Sequence, residues 1–217
     1  MRKHLLLLLL VALAGSAVGF GKEKPSLTLE FSVAGMSCDG CAQNATKVLK
    51  KIRGVQTVTI DFASQHAVVT GREITREQIE EALGTFGFEA RFSGDTIVQS
   101  LSEEEKAGLD IATASHGEAF ELADHLTAGK ITIFDYYADW CGPCHLLTPK
   151  LERLLLKYDG LALRTVDISS WESEAAKQAN LPGLPFVRIY GPQGKLLGSV
   201  QGNQIQKVEE VIQRNTP

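Results

Sequence analysis

The sequence is short of the residues that would commit it to several large classes of protein. It has 4 Cys in 217 residues, too few for a disulfide-stapled scaffold. Basic residues are in deficit: 22 Lys and Arg stand against 26 Asp and Glu, a net charge of −4 at pH 7. That is the wrong sign for a protein whose main task is to hold phosphates, so nucleic acid is not an expected partner. Gly and Pro number 20 and 7, which excludes a collagen-like or low-complexity chain, and 44% hydrophobic residues with 22% charged excludes a wholly disordered one. Beyond the first twenty residues no apolar run is long enough to cross a bilayer, so no membrane span is expected in the mature chain. The length suits two domains of about 100 residues each better than one large core.

What is present begins with an address. Arg2, Lys3 and His4 precede an unbroken apolar run from Leu5 to Ala14, and small residues follow through Gly19. This is the charged, apolar, small order of a secretory signal, with Ala17 and Gly19 in the −3 and −1 places of a cleavage site. Residues 1–19 are therefore expected to be a signal peptide and the protein to be secreted across the inner membrane into the periplasm. The alternative, an uncleaved anchor, has only 16 residues from Leu5 to Phe20, against the roughly 20 that a spanning helix needs. Removing Arg2 and Lys3 leaves 20 basic against 26 acidic residues, a net charge of −6, in an oxidising space where any thiol needs a reason to stay reduced. The four cysteines fall as two pairs, Cys38/Cys41 and Cys141/Cys144, each with two residues between.

The first pair lies in a segment, residues 26–94, whose patterning predicts a domain. Leu27 to Val33 alternates like a strand, and a helix is predicted from near Cys41 to Ile52, with Ala45, Val48, Leu49 and Ile52 on one face. Val58, Ile60 and Phe62 alternate with polar residues, and after the Ser64-Gln65 turn His66 to Thr70 completes a hairpin. Thr75 and Gln78 form a capping box before a helix carrying Ile79, Ala82, Leu83 and Phe86, closed by Gly87, and Phe88 to Phe92 is the last strand. The order βαββαβ reads as a ferredoxin-like sandwich.

The chemistry of this domain is in Gly35-Met36-Ser37-Cys38-Asp39-Gly40-Cys41. Two thiolates on one loop can face one metal, and two sulfurs alone suit a soft ion content with near-linear coordination, Cu(I) or Hg(II). Zinc would want four ligands, and no nearby His or Cys completes them. Cys41 is expected in the first helical turn, where the dipole favours its thiolate, with Cys38 in the loop free to close on the ion. A plain disulfide or a redox pair is open to the same spacing. The GMSCDGC string within a βαββαβ pattern resembles the heavy-metal-associated domain of copper chaperones, copper-ATPase tails and periplasmic mercury-binding proteins, over about 69 residues from Ser26 to Gly94. The resemblance implies Cys38 and Cys41 as ligands, Cu(I) as the expected metal with Hg(II) as the other candidate, and Met36 as a packed loop residue.

Residues 95–107 read as a linker, with a capping pattern at Ser102-Glu103-Glu104-Glu105. From 108 to 217 the pattern is α/β. A strand near Leu109 to Thr113 leads to a helix from about Glu118 to Leu126. Ile131 to Tyr137 is an apolar central strand with one charge out of place, Asp135. After Trp140-Cys141-Gly142-Pro143-Cys144-His145 comes a long helix containing Pro149. A strand from Leu161 to Ile168, a helix near Glu172 to Ala179, a Gly183-Leu184-Pro185 turn, a hairpin through Gly191 to Gly194 and a terminal helix from about Gln204 to Gln213 follow.

A CxxC between a strand and a helix is placed for thiol–disulfide exchange. Cys141, at the helix N-terminus, gains dipole stabilisation of its thiolate and attacks a partner disulfide, and Cys144, one turn deeper, resolves the mixed disulfide. Asp135 on the preceding strand can take the Cys144 proton if desolvation raises its pKa toward neutrality; a purely structural core or cap role is the alternative. A cis Pro185 would bring backbone groups beside Cys141 to hold an extended partner chain. Cys141 to His145 also satisfies the CxxCH signature of c-type haem, but apart from Met1 the only Met, Met36, lies in the other domain, and no haem is expected.

Asp135, Trp140-Cys141-Gly142-Pro143-Cys144, Pro149 and Leu184-Pro185 together match the thioredoxin pattern in identity and spacing, over about 110 residues from Gly108 to Pro217. Tyr137 to Cys141 and Gly183 to Pro185 look most like the soluble thioredoxin domain that ends bacterial membrane thiol-reductant transporters. The resemblance implies Cys141 as nucleophile, Cys144 as resolving thiol, Asp135 as proton acceptor and Pro185 as the cis-proline. His145 stands where thioredoxins commonly have Lys, and Phe186 where Thr is usual. The expectation is an α/β two-domain protein, a ferredoxin-like sandwich followed by a thioredoxin fold. Its expected work is extracytoplasmic thiol–disulfide exchange on protein thiols and disulfides, in the reducing direction, linked to copper handling, with a membrane reductant donor or metal transporter as partner. The alternative is a Cu(I)/Hg(II) carrier whose second domain keeps the metal-binding thiols reduced.

Overall fold

The computed structural model describes residues 25–216, so the signal peptide expected over residues 1–19 lies outside the described residues. The first domain runs β1 (Leu27–Ala34), α1 (Asp39–Leu49), β2 (Val55–Asp61), β3 (His66–Gly71), α2 (Arg76–Gly84) and β4 (Glu89–Arg91). Its sheet has the order β2-β3-β1-β4 with every neighbouring pair antiparallel. The alternation of β1 sends Phe31 and Val33 inward against Ala67 and Val69 of β3, and α1 and α2 close that face with Ala45, Leu49, Ile79 and Leu83. Burying side chains such as Leu49 and Ile79 stabilises the sandwich by about 1.5–3 kcal/mol each. At the start of α2 the Thr75 side chain accepts from Gln78 N–H while Gln78 accepts from Thr75 N–H, the reciprocal cap that this sequence pattern encodes.

A four-residue helix, α3 (Glu103–Lys106), precedes the second domain: β5 (Ile111–His116), β6 (Ile131–Tyr137), α4 (Cys144–Lys157), β7 (Leu161–Asp167), α5 (Glu174–Ala179), β8 (Phe186–Tyr190), β9 (Leu196–Gln201) and α6 (Ile205–Asn215). The sheet order is β5-β7-β6-β8-β9, parallel through β5, β7 and β6 and antiparallel through β8 and β9. Strand β6 is central and covered on both faces, which is why it reads as an apolar run rather than as an alternating one. Ile133 packs with Leu147 and Leu151 of α4 and Val208 and Ile212 of α6, while Phe134 turns the other way toward Val166, Ala175 and Ala176. This is the thioredoxin arrangement. Among the described residues no helix is long and apolar enough to cross a membrane.

One expectation changes. The helix expected from Glu118 to Leu126 is reduced to a 3₁₀ turn at Leu122–His125. The Gln178 side chain takes both the N–H and the C=O of Phe120, and Ser115 Oγ donates to the Glu118 carbonyl, so the groups that an α-helical ladder would use are already committed. The linker is tied down. Leu101 is buried and its N–H donates to Glu152 Oε2 at 2.9 Å, Lys106 Nζ meets Glu152 Oε1 at 3.0 Å, and the Arg153 guanidinium donates to the Gln99 carbonyl. Glu152, a buried carboxylate on α4, is the anchor of this segment.

Candidate functional site

Strand β6 delivers the chain to a turn in which Cys141 N–H donates to the Ala138 carbonyl at 2.9 Å, and Cys144 N–H to the Cys141 carbonyl at 3.0 Å. Cys141 and Cys144 form a disulfide and are 5% and 1% exposed. Helix α4 begins at Cys144 with Pro143 as its N-cap, so Cys141 stands ahead of the helix rather than in its first turn. The reason is the local bonding: Cys144 and Leu146 both donate three residues back, tight turns that precede the α-helical ladder. Cys144 is the first helical residue, and it is the more deeply buried sulfur.

Asp135 lies on β6, fully buried. Thr148 Oγ1, one helical turn beyond Cys144, donates to Asp135 Oδ2 at 2.6 Å and lies 3.3 Å from the Cys144 carbonyl oxygen, so one hydroxyl ties the carboxyl group to the start of α4. Asp135 Oδ1 has no hydrogen-bond partner. Burial pushes the Asp135 pKa up to about 7, against the Thr148 hydrogen bond, which lowers it, and with a further upward push from the Glu152 charge. A buried carboxyl group that titrates near neutrality with one oxygen free can hold or release a proton in step with a neighbouring thiol. Sequence reasoning missed Thr148 and Glu152; the signal available was a hydroxyl four residues after Cys144 on the apolar side of a helix.

The Leu184–Pro185 peptide is cis. Phe186, the departure after that proline, is buried with its ring 6.4 Å from Tyr136. Trp140 beside the disulfide is half exposed, its indole N–H donating to the Ser169 carbonyl at 2.7 Å and its ring 6.1 Å from exposed Trp171. The other departure, His145, has Nε2 at 2.9 Å from the Asp139 carbonyl oxygen, which turns the imidazole back onto the loop before the disulfide.

The first-domain pair has a different setting. Cys38 is the N-cap of α1, extended and without a side-chain capping bond, and Cys41 N–H donates to its carbonyl at 2.9 Å. The two sulfurs are 2.7 Å apart as free thiols, with Cys38 exposed and Cys41 half-buried. Burial works against the Cys41 thiolate, but hydrogen bonds from the Cys38 side chain and from Ser37 outweigh it and hold the Cys41 pKa below the ordinary thiol value. The same Cys41 hydrogen bond holds the Cys38 proton and raises its pKa. Cys41 is thus the sulfur that ionises first. Met36 is buried in the core, not turned toward the sulfurs' open side. Among the described residues no group of three or more His, Cys, Asp or Glu comes together as a ligand set, so the donor set here is two sulfurs.

Comparison with known proteins matches each of the two domains to a family. The heavy-metal-associated domain family matches residues 30–89, and the thioredoxin family residues 114–214. Thioredoxin Asp f 28 of Aspergillus fumigatus is 31% identical over 103 residues, 45% of this chain and 94% of that protein. The thioredoxin of Rattus norvegicus is 30% identical over 95 residues, 44% of this chain and 89% of its own. Among solved structures, oxidized MerP from Ralstonia metallidurans CH34 overlays with a TM-score of 0.31 at 27% identity, covering 32% of this chain and 99% of that one. The chain belongs to the thioredoxin family, its second domain a protein-disulfide oxidoreductase of that kind and its first a heavy-metal-associated domain.

Proposed function

We propose that the protein is an extracytoplasmic thiol–disulfide oxidoreductase that works in the reducing direction and is coupled to the handling of Cu(I). The observation that carries the redox reading is Asp135: a fully buried carboxyl with a pKa of about 7, held to the start of α4 by Thr148. In the reduced enzyme the Cys141 thiolate attacks a disulfide of a protein partner, forming a mixed disulfide and releasing one partner thiolate. Asp135 takes the proton of Cys144, whose sulfur attacks Cys141, and the partner leaves fully reduced while the Cys141–Cys144 disulfide forms. Trp140, Pro185 and the backbone around them form the rim on which the partner chain is held. A dithiol donor, such as a membrane reductant protein, returns the enzyme to its starting state.

The first domain's residues fit a soft cation as cargo. Two sulfurs on one loop, one exposed and the other with a depressed pKa, match Cu(I), and Hg(II) has the same preference. The segment Arg2 to Gly19 supports the periplasmic location. A second reading, a metal carrier whose second domain serves only for upkeep, is favoured by that exposed thiol pair. Insulin reduction by the full chain with a dithiol donor separates the two. Turnover that vanishes in Cys141→Ser, with trapped mixed disulfides in Cys144→Ser, supports the enzyme; no turnover above the donor alone overturns it.

A further inference from the structure

The face of the second domain that surrounds Cys141 is covered by the first domain, through backbone rather than through side chains. Asn203 N–H donates to the Gly84 carbonyl at 2.8 Å, and the neighbouring Gly202 N–H donates to the Pro185 carbonyl at 2.9 Å. Gly84 and Gly87, at the end of α2 and before β4, thereby sit on the loop that is bonded to the cis-proline. The approach is so close that side chains are excluded on both sides. A Cβ on Gly142 would lie 2.8 Å from the Gly35 carbonyl oxygen, one on Gly202 2.3 Å from the Gly84 oxygen, and one on Gly87 2.7 Å from Pro143 Cβ and 3.0 Å from Pro185 Cδ. At the margin the Glu89 carboxylate pairs with Lys150 and accepts from Asn203 Nδ2 at 3.5 Å. The residue after the nucleophile, the one before the resolving cysteine and the cis-proline are all in this contact.

The segment that makes it leads directly into the other CxxC. Gly35 is three residues from Cys38, and Gly142 adjoins Cys141. Summing chain geometry across the Gly35–Gly142 contact, the Cα atoms of Cys38 and Cys141 are at most about 21 Å apart. Cys38 and Cys41 already hold their sulfurs at 2.7 Å, a small displacement from disulfide length.

We propose that the substrate for which this face is shaped is the chain's own first domain: the second domain reduces a Cys38–Cys41 disulfide within the same molecule. The proposal rests on the oxidoreductase reading above. The Cys141 thiolate attacks one sulfur of the Cys38–Cys41 bond; that bond breaks as the Cys141 mixed disulfide forms, and the released sulfur takes up a proton. Cys144 then gives its proton to Asp135 and attacks Cys141, and the second first-domain sulfur leaves as a thiolate. Two electrons have moved from the second domain to the first. A dithiol protein then recharges Cys141 and Cys144. Tethering places the two sites at an effective concentration in the millimolar range, beyond that of most free partners.

The test uses the full chain carrying Cys144→Ser, oxidised with diamide and kept dilute enough to be monomeric. The expected result is a monomer with one internal cross-link from Cys141 to Cys38 or Cys41, seen by peptide mass spectrometry, and formed at a rate independent of protein concentration. Adding Lys150→Glu, which sets two carboxylates against each other at the margin, is expected to slow the cross-link by about tenfold, and adding Glu89→Lys to that variant to restore it. The wild-type chain is assayed for insulin reduction in parallel. Insulin turnover without an internal cross-link, or with cross-links only between molecules, overturns the proposal and leaves the oxidoreductase reading standing. An internal cross-link without insulin turnover supports a second domain that serves its own chain alone. Absence of both overturns both.

Discussion

The two CxxC loops share a spacing and almost nothing else. At Cys38/Cys41 the first sulfur is exposed, the second is half-buried, and the proton is shared between the two sulfurs, so that Cys41 is depressed and Cys38 raised. At Cys141/Cys144 both sulfurs are buried, and the group that titrates near neutrality is the carboxyl group of Asp135, on the strand that leads into the loop. The first arrangement leaves a sulfur free to meet a cargo in solvent. The second keeps solvent away and sets a buried carboxyl group that titrates near neutrality on the strand before it, which suits the proposed two-step exchange between sulfurs. What separates a metal loop from a redox loop is thus the company that the second cysteine keeps: in one case a serine and a helix start, in the other a desolvated carboxyl group and a cis-proline.

The sharpest way to break this comparison is at the second loop. Cys141→Ser should lower insulin reduction by at least about 10³-fold, whereas Cys38→Ser should leave it within about twofold, because the two loops do different chemistry. A loss of comparable size in both variants, measured as initial rates, would show one shared site instead of two.

Next in size is Asp135→Asn. It should slow turnover at pH 7 by about 10²-fold without preventing mixed-disulfide formation, since only the second step needs the proton acceptor. It also has a stability signature. The folded pKa of about 7 lies above the unfolded value of 3.8, so the fold favours the protonated form. Stability from this group is full below about pH 4 and is lost as the pH rises through 7. The wild-type oxidised chain should therefore lose a few kcal/mol, to order of magnitude, between those limits, and the Asn variant should lose less. Chemical denaturation at pH 4, 6 and 8 reads the difference.

A smaller effect should appear between the two first-domain sulfurs. With reduced protein at pH 7, iodoacetamide should modify Cys41 ahead of Cys38 by roughly threefold or more, despite the greater exposure of Cys38, because the thiolate is the reactive form. Peptide mass spectrometry after brief alkylation gives the ratio, and equal labelling would contradict the shared-proton arrangement. The smallest is Thr75→Ala, which removes a reciprocal cap and should destabilise the first domain by about 1 kcal/mol while insulin reduction is unchanged.

Much of this was legible in the residues. The Thr75/Gln78 and Ser102/Glu105 caps are contacts across three positions, and both are present as their patterns predict. Asp135 stood out as one charge in an apolar run, and burial of that run is what raises its pKa. Other features had no local signature. Thr148 reaches Asp135 across 13 positions, Leu101 reaches Glu152 across 51, and Lys150 reaches Glu89 across 61. Residues 118–126 have the periodicity of a helix, and it was Gln178, 58 positions from Phe120, that took their backbone groups.

The sequence by itself determined that there are two sulfur pairs on two α/β units and where α2 of the first domain starts, because periodicity and capping act over a few residues and need no other part of the chain. Only the tertiary structure decided the protonation of Asp135, the loss of the helix over 118–126, the anchoring of the linker on Glu152 and the seating of Gly35, Gly84 and Gly87 on the rim of the Cys141–Cys144 site. Each of these depends on which distant groups exclude water from, or donate to, a given atom. That exclusion exists only once the elements have packed.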